Sequence, residues 1–219
     1  MCGRYSFVFE DALILERFGI RVTTAVYKAR YNCAPTQILP VITNEASDTL
    51  NHYRWGLIPF WAKDASIGSK LINARAETLT EKPSFKHAFR ARRCLIPATG
   101  FYEWKKERKP GRDKAGRSDM AGHVATTPYN IGMKTGEPFC FAGLWDQWIS
   151  PDGEVVRSFT IITTSPNELV APIHDRMPVI LHRADEQRWI SPQPDPSLSD
   201  LLKPYPSEHM TAIPAGKLF

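Results

Sequence analysis

Short apolar segments typical of β-strands recur along the whole chain and do not alternate regularly with helical ones. Strand-type segments occur at residues 4–9, 38–43, 51–57, 93–97, 137–149, 155–164 and 179–181. Helical periodicity is confined to residues 10–18, 84–92 and 184–190. This order predicts an α+β fold with a curved, mostly antiparallel β-sheet and a barrel-like core, flanked by short helices.

The connections between these segments are short, apart from one long stretch. Eighteen prolines indicate many tight, conformationally fixed turns. Residues 105–130 are rich in Gly, Lys and Arg and have little periodicity, which predicts a long, exposed basic loop. A chain of 219 residues with 42% hydrophobic residues can bury a substantial core. We therefore expect a single domain over residues 1–219.

Several classes of protein are disfavoured by composition. No segment approaches the roughly 18 apolar residues that a membrane helix needs, so no membrane association is expected. The N-terminus lacks the basic-then-apolar pattern of a signal peptide. The four cysteines are scattered without a CxxC pair, which predicts no metal site and a reducing compartment; they are Cys2, Cys33, Cys94 and Cys140.

The net charge of +5 and the pI of about 9.0 favour anionic partners only mildly. The distribution of the charges is more informative, because cations cluster at residues 86–93 and 105–117. These clusters fit contact with nucleic acid, and they fit a solvated helix face and a solvated loop equally well.

The N-terminus offers a specific chemistry. Residue 2 is small, so Met1 is expected to be removed, which leaves Cys2 with a free α-amine beside its thiol. The amine has a reference pKa of about 8, so a sizeable fraction is unprotonated near neutral pH. Such an aminothiol can attack an acyl carbon, or it can condense with an aldehyde and close to a thiazolidine ring. The alternative is that Cys2 merely belongs to a loose terminus.

Other polar residues are candidates for a site, although each has an ordinary alternative. Glu103 lies between two aromatic residues and could equally face solvent from a strand. Asn73 could form a turn, and His174 could cap or pack. Arg75 and Glu77 could form a plain surface ion pair.

Taken together, seven ordered motifs resemble the SOS-response-associated peptidase (SRAP) family. They are MCGR, NCAP, WGLIP, INARAET, RCLIPATGFYEW, FAGLW and IHDRMPVIL. The resemblance runs from Cys2 to about Ile190. Members of this family act on abasic sites in single-stranded DNA.

The resemblance implies a covalent mechanism. Cys2, freed by loss of Met1, is expected to crosslink the ring-opened aldehyde of an abasic site as a thiazolidine that shields the lesion. Asn73 is expected to position the terminal residue and the sugar. Glu103 matches a general acid/base, and His174 matches a residue that assists ring opening. An acid held among aromatic residues has its pKa raised by desolvation, which suits that role.

The resemblance also implies contacts with DNA. Arg4, Arg75 and Arg176 match positions that contact phosphates. Trp61 is expected to be an aromatic platform, although the family often has two adjacent tryptophans where this chain has Phe60-Trp61. The positions that match the lining of the DNA channel are Pro35 and Thr163. The basic stretch that follows the GFYEW motif is longer than is typical of the family.

These expectations combine into one functional prediction with open alternatives. The predicted partner is single-stranded DNA that contains abasic sites, with no cofactor and no metal. The protein is expected to act as a monomer in the cytoplasm, associated with the nucleoid, and to have Met1-removing autopeptidase and AP-lyase-like activities. The alternatives are an N-terminal-nucleophile thiol peptidase or glutamine amidohydrolase, and a non-catalytic module that binds single-stranded DNA.

Overall fold

A computed structural model of the protein describes residues 2–9, 11–24, 28–108, 111–112, 118–119, 124–193 and 195–216. Within these ranges the strands are β1 (Tyr5–Phe7), β2 (Val22–Thr23), β3 (Arg30–Cys33), β4 (Ile38–Thr43), β5 (Ala46–Trp55), β6 (Asn73–Arg75), β7 (Arg93–Ala98), β8 (Gly100–Arg108), β9 (Gly111–Arg112), β10 (Ser118–Asp119), β11 (Val124–Met133), β12 (Phe139–Ile149), β13 (Val155–Thr164), β14 (Met177–Pro178), β15 (Ile180–Leu181) and β16 (Met210–Pro214). The α-helices are α1 (Asp11–Phe18), α2 (Pro83–Ala91) and α3 (Glu186–Trp189), and 3-10 turns occur at Ala65–Lys70, Ala76–Thr78, Arg183–Asp185, Leu198–Leu201 and Ser207–His209. None of the helices in these ranges is long and apolar enough to cross a membrane.

Five strands form a closed barrel. β5, β4, β7, β12 and β13 are neighbours in this order through antiparallel ladders. A parallel pairing of β13 with β5, in which Ser158 lies opposite Arg54 and Phe159 opposite Trp55, closes the ring. β6 pairs with β13 on one side, while β14 and β15 pair with β13 and β12 on the other. β12 and β13 are buried along most of their length, and their sequences are accordingly rich in aromatic and β-branched residues.

A second sheet, in the order β16-β11-β8-β1-β3, packs against the barrel. The chain passes from the barrel into this sheet at Thr99, between β7 and β8. Aromatic rings join the two sheets, with Tyr5 at 5.3 Å from Trp55 and 5.8 Å from Phe141, measured between ring centroids. Phe101 of β8 lies at 6.1 Å from the same Phe141. Edge-to-face contacts of this kind stabilise a core beyond the area that they bury.

The predicted α+β fold with a mostly antiparallel, barrel-like core is confirmed. The strands predicted at residues 38–43 and 155–164 have the predicted bounds. The prediction of a loop over residues 105–130 is wrong at both ends, because 105–108 continue β8 and 124–130 belong to β11. β-Branched residues of β11 pair with the lysines of β8, so pairing rather than alternation makes these strands. Much of residues 109–123 lies outside the described ranges.

A test of the barrel packing is available at Gly143 of β12. A Cβ at this position would overlap Cδ1 of Ile96 and lie 2.9 Å from the carbonyl oxygen of Thr160, which is backbone and cannot move aside. We expect Gly143→Ala to lower the free energy of unfolding by about 1–3 kcal/mol. Urea unfolding monitored by tryptophan fluorescence measures this. Gly216→Ala is the control, because a Cβ there meets nothing within 4 Å, and an equal effect of both changes would contradict the close approach.

Candidate active site

Pairing of the N-terminal strand with β8 brings Cys2 close to Glu103. The backbone N–H of Tyr102 donates to the carbonyl of Arg4 at 2.9 Å, which extends the β1–β8 ladder toward the terminus. Cys2 is fully buried. Burial raises the pKa of its thiol far above the ordinary value, and the negative charge of Glu103 raises it further. The thiol is therefore protonated at neutral pH.

Glu103 is a carboxylic acid held inside the protein. Its side chain is only 3% exposed, because β8 directs it inward between the two sheets. Burial raises the pKa of Glu103 to about 7, and the charge of Asp175 adds to this, while the positive amino terminus opposes it. The group is thus able both to donate and to accept a proton at neutral pH.

His174 faces Glu103 from the loop that precedes β14. Its Nε2 lies 3.9 Å from Oε2 of Glu103. Its Nδ1 accepts a hydrogen bond from the backbone N–H of Arg176 at 3.0 Å, a contact that favours the neutral tautomer with its proton on Nε2. Burial lowers the pKa of His174, as does the positive amino terminus, although Asp175 opposes the shift. A neutral imidazole therefore presents N–H to a carboxyl group at neutral pH.

Asn73 presents an amide that the described residues leave unsatisfied. Its backbone pairs with Ile161 of β13, and the indole N–H of Trp55 donates to the carbonyl of Ile72 at 2.9 Å, which fixes the entry into β6. Both Oδ1 and Nδ2 of Asn73 are buried and have no hydrogen-bond partner among the described residues. Buried polar atoms are almost always paired, and an exception indicates strain or a function such as ligand binding. No hydrogen bond joins Asn73 to the other candidate catalytic residues in the described structure.

The three predicted phosphate-binding arginines differ in their surroundings. Arg75, at the end of β6, is exposed. Arg4 is half-buried, and its Nη1 donates to the carbonyl of Gly3 at 2.7 Å. The guanidinium of Arg176 forms a two-pronged ion pair with Glu77, at 2.7 and 2.9 Å. The sequence-based alternative of an Arg75–Glu77 pair is therefore wrong, because Glu77 bonds to Arg176 instead.

The remaining predicted DNA contacts also differ in exposure. Trp61 and the neighbouring Phe60 are both about half exposed, as an aromatic platform requires. Pro35 is half-buried in a turn in which Thr36 has φ of 73°, a left-handed value that a β-branched residue rarely adopts. Thr163 is fully buried, its hydroxyl donates to the carbonyl of Ala74 at 3.5 Å, and its own carbonyl accepts from Arg176, so its polar groups are engaged within the fold.

Sequence reasoning missed the roles of Glu77 and Asp175. Asp175 places Oδ1 at 2.9 Å from Nδ1 of His174, and Glu77 fixes the next residue, Arg176. The only signal in the sequence is their position within the INARAET and IHDRMP motifs. Among the described residues, no group of three or more His, Cys, Asp or Glu side chains could hold a metal ion.

A cavity of about 540 Å³ lies away from these groups. It is enclosed by α1, the β11–β12 turn and the C-terminal segment, and the side chains around it include Arg17, Glu186, His182 and Tyr205. None of the candidate catalytic or DNA-contact residues lines it. Size therefore does not identify the site here, since the titratable groups with perturbed pKa values are elsewhere.

The buried carboxyl group of Glu103 predicts a measurable pH dependence of stability. Its pKa rises from 4.5 to about 7 on folding, so the unfolded chain ionises first and stability falls as pH rises through this window. We expect Glu103→Gln, which cannot ionise, to gain about 2 kcal/mol relative to the wild type between pH 5 and pH 8. Urea unfolding at both pH values measures this. The exposed Glu154→Gln serves as the control, and parallel pH profiles of wild type and Glu103→Gln would contradict the assignment.

The chain is similar in sequence to one protein family and to several named proteins. The profile of the family described as "SOS response associated peptidase (SRAP)" matches residues 1–218. The "Abasic site processing protein YoqW" of Bacillus subtilis is 44% identical over 223 residues, which cover 100% of this chain and 93% of that protein. The "Abasic site processing protein HMCES" of Xenopus tropicalis is 32% identical over 87% of this chain and 62% of its own length.

Solved structures share the fold. A crystal structure of a protein from Bacteroides thetaiotaomicron has a TM-score of 0.83 and 30% identity, and covers 99% of this chain and 93% of that chain. A protein from Bordetella bronchiseptica has a TM-score of 0.77 over 98% of this chain and 100% of that chain, and at 23% identity it shows a likeness of fold alone. Since the family profile spans almost the whole chain, the protein belongs to the SOS response associated peptidase (SRAP) family.

Proposed function

We propose that this protein senses abasic sites in single-stranded DNA and forms a covalent thiazolidine crosslink with them through Cys2, which protects the lesion during the response to DNA damage. The observation that carries the proposal is the buried Glu103 carboxyl, which faces His174 and lies close enough to Cys2 to raise the pKa of the thiol. The names of the relatives, which are called abasic site processing proteins, support the same class of substrate.

The chemistry needs an aldehyde and a free aminothiol. Ring opening of the abasic deoxyribose exposes the C1′ aldehyde. After loss of Met1, the α-amine of Cys2 attacks C1′, and the resulting carbinolamine loses water to give an imine. The thiol then adds to the imine carbon, and its proton passes to the nitrogen. One water leaves and one five-membered ring forms, so atoms and charge balance without a cofactor.

Glu103 supplies the proton transfers in this sequence, and His174 assists by hydrogen bonding. A carboxyl group with a pKa of about 7 can donate to the departing hydroxyl and can accept from the thiol at the same pH. The neutral His174 directs Nε2–H toward the same region, where it can donate a hydrogen bond to the ring oxygen as the sugar opens while the carboxyl group of Glu103 supplies the proton. At 3.9 Å the two groups are close enough to hydrogen-bond one substrate oxygen beside them.

The state of the thiol favours this order of steps over the thiol peptidase and the glutamine amidohydrolase. A peptidase or amidohydrolase of this kind attacks as a thiolate, yet burial keeps the Cys2 thiol protonated by raising its pKa. An amine-first mechanism needs the thiol only after the imine has formed. The imine is also the intermediate of AP-lyase cleavage, and ring closure by the thiol diverts it from strand breakage.

Recognition of DNA in this proposal requires no reading of bases, which also separates it from a sequence-specific binder. Exposed Arg75 tracks the phosphate backbone. Trp61 and Phe60 provide faces on which bases of any identity can stack. The unsatisfied amide of Asn73 is available to hydrogen-bond the sugar. The protein would act as a monomer at DNA in the nucleoid.

The covalent step is tested by intact mass after incubation with an oligonucleotide that carries one abasic site. We expect an adduct of protein plus DNA minus one water. Cys2→Ser keeps the amine but loses the thiol and should give no heat-stable adduct. An N-terminal extension keeps the thiol but blocks the amine and should abolish the adduct as well. The control Cys33→Ala removes another buried cysteine and should react normally, whereas efficient crosslinking by the blocked protein would contradict the mechanism.

The DNA interface is tested by the salt dependence of binding to an intact single strand. Each phosphate contact contributes about −0.7 to the slope of log affinity against log salt concentration. We expect Arg75→Ala to reduce the magnitude of the slope by that amount. Arg183→Ala, which removes a cation beside the 540 Å³ cavity, should leave the slope unchanged. An affinity that does not respond to salt would count against the proposed interface.

A further inference from the structure

The side chain of Arg176 is anchored by the protein itself. It is only 15% exposed. Nη1 and Nη2 donate to the two carboxylate oxygens of Glu77 at 2.7 and 2.9 Å, and Nη2 also donates to the carbonyl of Thr163 at 2.6 Å. Two parallel, charge-assisted hydrogen bonds fix orientation as well as distance. The charge of Arg176 is thus already compensated within the fold.

This ion pair spans the end of β13. Glu77 lies in the 3-10 turn that directly follows β6, and Arg176 directly precedes β14. Thr163 of β13 pairs with β6 on one side and with β14 on the other. The contact therefore connects the strand that carries Asn73 to the loop that carries His174.

The backbone of Arg176 controls the ring of His174. Its N–H donates to Nδ1 at 3.0 Å, which leaves the proton of the neutral ring on Nε2. Asp175 competes for the same nitrogen, because its Oδ1 lies 2.9 Å from Nδ1 and would bond to a proton there. The side chain of Asp175 is 88% exposed, so solvent weakens the attraction of its carboxylate for a proton on Nδ1. If the Arg176 backbone were displaced, Nδ1 would lose its hydrogen-bond donor. The ring would then favour the tautomer with its proton on Nδ1, bonded to Asp175, and Nε2 would carry no proton.

We propose that Glu77 is a positioning residue of the site: through its ion pair with Arg176, it keeps Nδ1 of His174 as a hydrogen-bond acceptor and Nε2–H directed at Glu103. Only the kinetic consequence of this inference rests on the proposed function. The other charged groups that face the ring are Lys106 of β8, Asp175 and the amino terminus, and they stay the same when Glu77 is replaced.

The tautomer of His174 tests the inference without DNA. ¹⁵N chemical shifts of the imidazole distinguish Nδ1–H from Nε2–H. In the wild type we expect the Nε2–H form at pH 8. Glu77→Gln removes the charge of the ion pair, and Arg176→Lys removes the two parallel hydrogen bonds of the guanidinium group. Both variants should therefore populate the Nδ1–H tautomer of His174. The control Asp195→Asn breaks another ion pair, that of Arg188, and should keep the wild-type tautomer. Wild-type shifts in folded Glu77→Gln and Arg176→Lys would overturn the proposal.

Crosslinking rates test the kinetic consequence of the proposed role of Glu77. We expect Glu77→Gln to slow the reaction by about 10–100-fold, the effect of misplacing a catalytic group, and to shift its pH profile. Its affinity for an intact single strand should not fall, since a negative charge has been removed. In a His174→Ala background, Glu77→Gln should have no further effect, and additive losses would overturn the proposal. Absence of crosslinking by the wild type would refute the proposed function instead, while the tautomer would still decide the role of Glu77.

Discussion

The parallel pairing of β5 with β13 closes the barrel, and the location of the candidate site follows from this closure. β5 pairs with β13 at Ser158 and Phe159. Further along the same edge of β13, β6 pairs from Ile161 onward, with Asn73 at its start. The hydroxyl of Ser158 accepts from the backbone N–H of Ile58 at 2.8 Å, which fixes the turn that follows β5. Without this closure, β6 and β14 would not flank the same strand, and the two loops that carry polar groups would not meet.

The polar groups of the site reduce stability, and the aromatic core around them offsets this. An unsatisfied buried amide such as that of Asn73 costs about 1–3 kcal/mol. Burial of the carboxyl of Glu103 adds to this loss above its unfolded pKa. Ring contacts between the two sheets, centred on Tyr5 and Phe141, supply compensating packing. Departures from local stability that gather in one place are typical of functional sites.

Local sequence patterns could predict most helices and strands, but they could not predict which residues far apart in the sequence contact each other. β4 and β13 are recognisable because β-branched alternation is a local property. Residues 105–108 carry lysine and arginine without alternation, and they form a strand only because β11 pairs with them. Motifs indicated the candidate residues, yet the partner of Glu77 proved to be Arg176, 99 residues away. Arg93, which belongs to a basic cluster in the sequence, is buried and donates to four backbone carbonyls.

The burial of Cys2 has a consequence for the durability of the protein. Peroxides oxidise thiolates far faster than thiols, and burial keeps this sulfur protonated by raising its pKa. The Cys2 sulfur is therefore shielded from sulfenic and sulfinic acid formation. In the proposed mechanism, the buried thiol thus stays unreactive until a carbonyl compound has reacted with the α-amine of Cys2.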